Sequence, residues 1–124
     1  LKKNPKDTYT LNYLSYSLAL KNQELDLAQN FIKKALSLDP NNGFFLDTLG
    51  WVEYKRNDFT SSVFYLEQAI IILPKSSEVM DHLADCYLML GRTNEAIYEW
   101  KKALKYENDI NVINLIKAKL SKYE

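Results

Sequence analysis

The sequence predicts an all-α fold, a stack of three helical hairpins closed by a seventh helix, and three observations carry that prediction. Small residues recur at a fixed distance: Ala35, Ala69 and Ala103 are 34 residues apart, and Ala28, Ser62 and Ala96 keep the same step. Apolar residues recur three and four positions apart, as in Val63, Leu66, Ala69 and Ile70, which places them on one stripe of a helix. Only three glycines and three prolines occur in 124 residues, which suits helices joined by short connections.

The elements follow in order from local chemistry. A first helix is expected at about 7–20 and a second at 25–38. Leu14 and Leu49 are 35 residues apart instead of 34, so one extra residue sits in the first hairpin between Leu14 and Ala28. The turn Lys21-Asn22-Gln23-Glu24 is where an addition disturbs no packing. Pro40 marks the passage to the second hairpin, and Asn42 is placed to cap a helix at 43–56 by accepting hydrogen bonds from its unpaired first amides. Asp58 can do the same for a helix at 59–73. Pro74 repeats Pro40 at 34 residues, Ser76 can cap a helix at 77–90, and the third hairpin closes with a helix at 93–106. The last helix, 110–122, is solitary: Ile113, Ile116 and Leu120 can lie on the final hairpin while Lys117, Lys119 and Lys122 face water, as the closed end of a solenoid requires. These boundaries give one domain over 1–124, with repeats of about 7–41, 42–75 and 76–108 and a capping helix at about 109–123. No hairpin alone can cover such stripes; stacking covers them, and Gly50, Ala69, Ala84 and Ala103 allow close approach because they carry little or no side chain.

The period of 34 and the residues that keep it resemble the tetratricopeptide repeat. The second hairpin carries Leu46, Leu49-Gly50, Ser62, Leu66, Ala69 and Pro74; the third carries Met80, Leu83-Ala84, Tyr87, Gly91, Ala96, Trp100 and Ala103. The match covers most of the chain. It implies a right-handed α-solenoid whose first helices line a concave surface, and a non-catalytic module that binds protein. More narrowly, the runs 13–19, 45–52 and 81–85 look like the terminal repeats of long proteobacterial tetratricopeptide proteins, which often belong to exported or envelope-associated chains. Three positions depart from the pattern: Ser15 stands where glycine or alanine is usual, Glu53 replaces an aromatic residue, and Asn108 stands where proline is expected, as suits a cap better than another repeat.

If the first helices line a concave surface, as the resemblance implies, their residues not committed to packing are the candidates for contact. These are Tyr9, Asn12, Tyr13 and Tyr16; then Phe44, Asp47, Trp51, Tyr54 and Lys55; then Glu78, Asp81, His82, Asp85 and Met89. The amino-terminal half is aromatic. The third group is acidic, with no Lys or Arg between Ser76 and Leu90. Aromatic rings supply contact area at low entropy cost, and an acidic stripe favours a cation nearby. The expected ligand is a peptide or helix of another protein with apolar or aromatic side chains and a nearby Lys or Arg. The same rings equally suit packing between hairpins, and the acids a solvated face. The alternative is a structural spacer or self-association unit, with a homodimer formed through exposed aromatics. Capture of a chaperone tail by its terminal carboxylate needs a basic set that Asn12 and Lys55 alone do not make.

Other chemistries are disfavoured. Lysine plus arginine balances aspartate plus glutamate at 16 each, so no net field draws the chain to nucleic acid; the carboxyl-terminal lysines are diluted by Glu95, Glu99, Glu107 and Glu124. The longest apolar run, Ala69 to Leu73, is far below the roughly 20 residues that span a bilayer, so no direct membrane insertion is expected. Glu78, His82 and Cys86 share a helix face at four-residue spacing like metal ligands, but one helix supplies no fourth ligand and no CxxC or HExxH pattern accompanies them. Neither a nucleophile with an oriented base nor a glycine-rich phosphate loop is visible, so no enzymatic activity and no cofactor are expected. The lone Cys86 leaves the compartment open between bacterial envelope or periplasm and cytoplasm. A start at Leu1 without methionine suggests a fragment whose targeting signal lies elsewhere.

Overall fold

The computed structural model describes the backbone from Pro5 to Glu124 and the side chains from Asp7 onward. Seven helices occupy this span: α1 (Pro5–Leu20), α2 (Leu25–Leu38), α3 (Gly43–Lys55), α4 (Phe59–Ile72), α5 (Ser77–Met89), α6 (Thr93–Tyr106) and α7 (Ile110–Tyr123). Each of α1/α2, α3/α4 and α5/α6 forms a hairpin, the hairpins stack as a right-handed α-solenoid, and α7 closes the end on α6. The sequence-based boundaries agree to within two residues.

Local chemistry explains the sharp ends. Asn42 Oδ1 accepts from the amides of Phe44 and Phe45 at 3.0 and 3.2 Å, Asp58 from Ser61 at 3.2 Å and Ser76 Oγ from Val79 at 3.3 Å. Asp109, not singled out in the sequence, caps α7 in the same way. The first helix of every hairpin ends alike. Asn22, Asn57 and Gly91, at one register of the repeat, all adopt positive φ (54°, 66° and 76°), a conformation open to glycine and tolerated by asparagine. The amides that follow, of Gln23, Asp58 and Arg92, reach back to the carbonyls of Leu18, Glu53 and Tyr87, which satisfies carbonyls the helix leaves over. The connection in the first hairpin is residues 21–24, against 56–58 and 90–92 in the others. The extra residue therefore lies where the spacing put it, and it shows as a second left-handed residue, Glu24 at φ 43°.

The core runs along the seam between hairpins, with Leu66, Ala69, Met80, Leu83, Ala84, Trp100 and Ala103 all buried. Gly50 is demanded by this packing: a Cβ there would stand 2.5 Å from Leu66 Cγ. Two departures from the repeat pattern are resolved by partners. Glu53 is buried but receives a 2.8 Å hydrogen bond from Gln29 Nε2 and pairs with Arg56. Ser15 is buried and donates to the Ala28 carbonyl at 2.7 Å; in the second hairpin the hydroxyl sits on the opposite helix, Ser62 donating to the Gly50 carbonyl at 2.6 Å. The helix α7 buries Ile116 and Leu120, and Tyr123 stacks on Trp100 with ring centroids 6.0 Å apart. At the other end, Leu14 is 40% exposed whereas its counterparts Leu49 and Leu83 are 2% and 1% exposed, because no hairpin precedes it among the described residues.

A candidate binding cleft between the first helices

The first helices α1, α3 and α5 pack side by side, so residues at one register form rows across them. Tyr9, Phe44 and Glu78 make one row; Asn12, Asp47 and Asp81 the next; then Tyr13, Thr48 and His82; then Tyr16, Trp51 and Asp85. Three of these helices contribute to a cleft of about 210 Å³, lined by Asn12, Tyr13, Tyr16, Phe44, Asp47, Thr48 and Glu78. Six of those seven are among the residues expected from the sequence. Thr48 is the omission, and its register, shared with Tyr13 and His82, would have found it.

The cleft has aromatic walls and an acidic corner. Tyr13 and Phe44 are 69% and 59% exposed, so both rings face solvent. Tyr9 is exposed and meets Phe45 edge-on at 5.3 Å. The Tyr16 hydroxyl donates to Glu78 Oε2 at 3.3 Å; burial and the Glu78 charge push the phenol up to about 12. Burial and the neighbouring Asp47 charge raise the Glu78 carboxyl above its ordinary value, with His82 acting in the opposite sense. No Lys or Arg pairs with Glu78 among the described residues. Asn12 Oδ1 is buried at the cleft wall without a hydrogen-bond partner.

Other expected contact residues are committed to the protein itself. Asp47 and His82 are a buried pair, with His82 Nδ1 2.8 Å from Asp47 Oδ1. Burial alone would lower the histidine pKa, but the charge and hydrogen bond of Asp47, with Glu78 and Asp81, raise it. Trp51 is half-buried, stacked on His82 at 4.1 Å and on Tyr54 at 4.5 Å; Lys55 Nζ lies 5.4 Å from the Trp51 ring centroid. Tyr54 also meets Phe59 edge-on. Met89 is exposed at the end of α5.

The acids Asp81 and Asp85 do not face open solvent as a free stripe. Lys119 Nζ stands 3.0 Å from Asp81 and 3.2 Å from Asp85, and the Trp100 indole donates to Asp81 at 2.9 Å. Lys119 was expected to face water; instead it is drawn inward, because two carboxylates one helical turn apart on α5 lie under α7. Burial by itself would lower the Lys119 pKa, yet Asp85 and Asp81 raise it. The cation that the acidic stripe called for is, at this half of the groove, part of the chain.

The residues weighed as metal ligands point to different neighbours. Glu78 faces Tyr16, His82 faces Asp47, and Cys86 Sγ lies 2.9 Å from Ser62 Oγ; burial pushes the Cys86 thiol up to about 12. Beside the first hairpin turn lies a wider, open depression of about 740 Å³ that includes Glu24, Leu27 and Asn30; its Arg56 is paired with Asp26, and none of its residues belongs to the rows described above.

A family model described as tetratricopeptide repeat matches residues 14–42. A TPR repeat-containing protein of Methanocaldococcus jannaschii is 32% identical over 93% of this chain, which spans 19% of that relative's length. A TPR repeat-containing protein of Pseudomonas aeruginosa is 32% identical over 67% of the chain, 14% of its own length. One relative is archaeal and the other bacterial, so the likeness is not confined to proteobacteria. Among solved structures, the type III secretion translocator chaperone SycD of Yersinia enterocolitica, in an alternative dimer, superposes with a TM-score of 0.86 over 97% of this chain and 93% of its own at 15% identity. The first TPR domain of Spaghetti bound to an HSP90 peptide superposes at 0.80, over 96% and 94% of the two chains at 16% identity. PcrH in complex with the chaperone-binding region of PopB superposes at 0.75, over 84% and 83% at 16% identity.

Proposed function

Because the chain belongs to the tetratricopeptide-repeat family, we propose that it is a non-catalytic interaction module that takes a peptide or helix of another protein on the concave side of its first helices. The observation that carries this reading is the cleft shared by α1, α3 and α5, where solvent-facing Tyr13 and Phe44 stand beside Glu78, which has no basic partner among the described residues. Exposed rings next to satisfied core positions are contact area available to a ligand. Two proteins with the same fold hold peptide segments of other proteins, which supports the class of function; at 16% identity their recognition chemistry does not transfer. The HSP90 peptide of that complex, SRMEEVD, carries two glutamates and an aspartate, and this cleft is itself acidic. The ligand expected here is an apolar or aromatic segment carrying Lys or Arg.

The test is selection from a randomised peptide display library on the purified chain, followed by affinity measurement for the retained peptides. Replacing both Tyr13 and Phe44 by alanine, with helix content unchanged by circular dichroism, is expected to weaken binding at least tenfold, since truncating exposed aromatic anchors commonly costs about 1–2 kcal/mol each. Equal binding by the double variant would sink the assignment of this cleft.

The open seam at Leu14 favours a second reading, self-association through the amino-terminal end. Light scattering over a wide concentration range distinguishes it: a dimer that Leu14→Asp dissolves supports self-association, whereas a concentration-independent monomer leaves the concave cleft as the working surface.

A further inference from the structure

We propose that the cleft takes one basic side chain, a lysine or arginine of the bound segment, at Glu78, and that Lys119 occupies a second acidic seat, at Asp81 and Asp85, as an internal stand-in for another. This rests on the peptide-binding reading above and names where its cation goes. The acids of the concave face divide by their partners. Asp47 is paired with His82, Asp81 and Asp85 share Lys119, and among the described residues Glu78 makes no ion pair, only the contact with the Tyr16 hydroxyl. A His82 that carries its proton balances Asp47, which leaves the charge of Glu78 as the one a ligand can satisfy. Glu78 is solvent-exposed at the mouth of the cleft, so a ligand cation can reach its carboxylate directly and form a charge-assisted contact there.

The surroundings fit such a side chain. The aliphatic stem of Lys or Arg can lie between the exposed faces of Tyr13 and Phe44, where aromatic rings accommodate both methylene groups and positive charge. Asn12 Oδ1 is covered and without a donor; a turn of this half-buried side chain toward the cleft would offer the oxygen to an N–H of the same segment and remove the cost of an unpaired polar atom. A carboxylate-bearing ligand would find the opposite: an uncompensated acid and an acceptor facing its charge. Lys119 makes a contact of this kind further along the same helix, α5. It bridges Asp81 and Asp85 from α7 at 3.0 and 3.2 Å, in the kind of geometry that a ligand cation would adopt at Glu78.

The experiment is selection from a randomised decapeptide library on three proteins: the native chain, Glu78→Gln, and Lys119→Met, each checked for fold by circular dichroism. The native chain is expected to enrich a basic residue at one position among apolar or aromatic neighbours. Glu78→Gln is expected to lose that preference, and a selected peptide with its Lys changed to Gln should bind the native chain about tenfold more weakly. Lys119→Met should enrich a second basic position, because Asp81 and Asp85 are then without their cation. Enriched peptides lacking any basic residue, or a preference that persists in Glu78→Gln, would overturn the Glu78 seat while leaving peptide binding intact. Absence of a second basic position with Lys119→Met would overturn the stand-in role of Lys119. Retention of no peptide by any of the three proteins would instead overturn the peptide-binding reading on which both rest.

Discussion

Replacing Asp47 by asparagine separates the two parts of the Asp47–His82 contact, its shape and its charge. Both side chains are buried and 2.8 Å apart, and His82 is the only histidine of the sequence. Removing one partner of a buried pair outright costs about 3–5 kcal/mol, because the other charge is left uncompensated. Asparagine keeps an oxygen that can accept from a neutral imidazole, so the expected loss is closer to about 1–3 kcal/mol, a sizeable part of the 5–15 kcal/mol typical of a domain. The loss should depend on pH. A base that holds its proton more tightly in the folded state than in the unfolded one stabilises the fold fully below its ordinary pKa, 6.5 here, and gives up that contribution as pH rises through the raised folded value. Urea unfolding of the native chain should therefore show stability falling as pH rises above 6.5 and through the raised folded value. In Asp47→Asn, burial is opposed only by Glu78 and Asp81, His82 holds its proton less tightly, and the slope should flatten. The gap between the two proteins is then widest near pH 6 and narrows above the folded pKa of His82. A gap that stays constant across this range, or an imidazole that titrates identically by NMR in both proteins, would refute the argument that Asp47 holds the His82 proton.

Three further outcomes are expected. Gly50→Ala gains up to about 1 kcal/mol of helix propensity but places a Cβ against the buried Leu66 side chain, where overpacking costs about 1–3 kcal/mol; thermal unfolding should show net destabilisation, and the combination with Leu66→Ala should be less damaging than the two changes summed. Lys119→Met should cost about 1 kcal/mol at pH 7, a value discounted for a pair open to solvent. That loss should shrink towards pH 4, since Asp85, whose carboxyl is already raised by burial and Asp81 against the pull of Lys119, then takes up a proton and no longer needs the ammonium. Asn42→Ala and Ser76→Ala should each lower stability by about 1 kcal/mol in urea titrations, and their effects should add, because the caps serve different helices with no shared partner.

The helices were legible in the sequence because their signals are local or strictly periodic. Asn42, Asp58 and Ser76 cap by bonds to amides two or three residues away, and the small residues at 34-residue steps mark crossings that every hairpin repeats. The cleft was legible in outline for the same reason, since rows on the first helices follow from the repeat. What could not be read from helical spacing alone was which members of a row bond to each other. Helical spacing, which compares a residue only with neighbours on its own helix, predicts Asp47 and His82 as contact residues and Lys119 as a solvated cap residue. Their partners lie on the next first helix, 35 residues away for Asp47 and His82 and 34 for Asp85 and Lys119. Opposite charges 34 or 35 residues apart were therefore the available signal, and a register comparison across repeats, Thr48 beside Tyr13 and His82, would have drawn Thr48 into the cleft.

The single added residue at Glu24 has a consequence for how this array tolerates change. The bonds that finish α1 are complete at Gln23, and those of α2 begin with the Ala28 amide on the Glu24 carbonyl, so the insertion falls between two closed units. Lengthening the chain at this point alters its contour without altering its pitch: every later helix keeps its rotation and its rise. A segment grafted between Gln23 and Leu25 would stand off the rim beside the depression that holds Arg56, while the rows that build the cleft stay in line. This corner is accordingly the place where the molecule can gain new surface without surrendering the old.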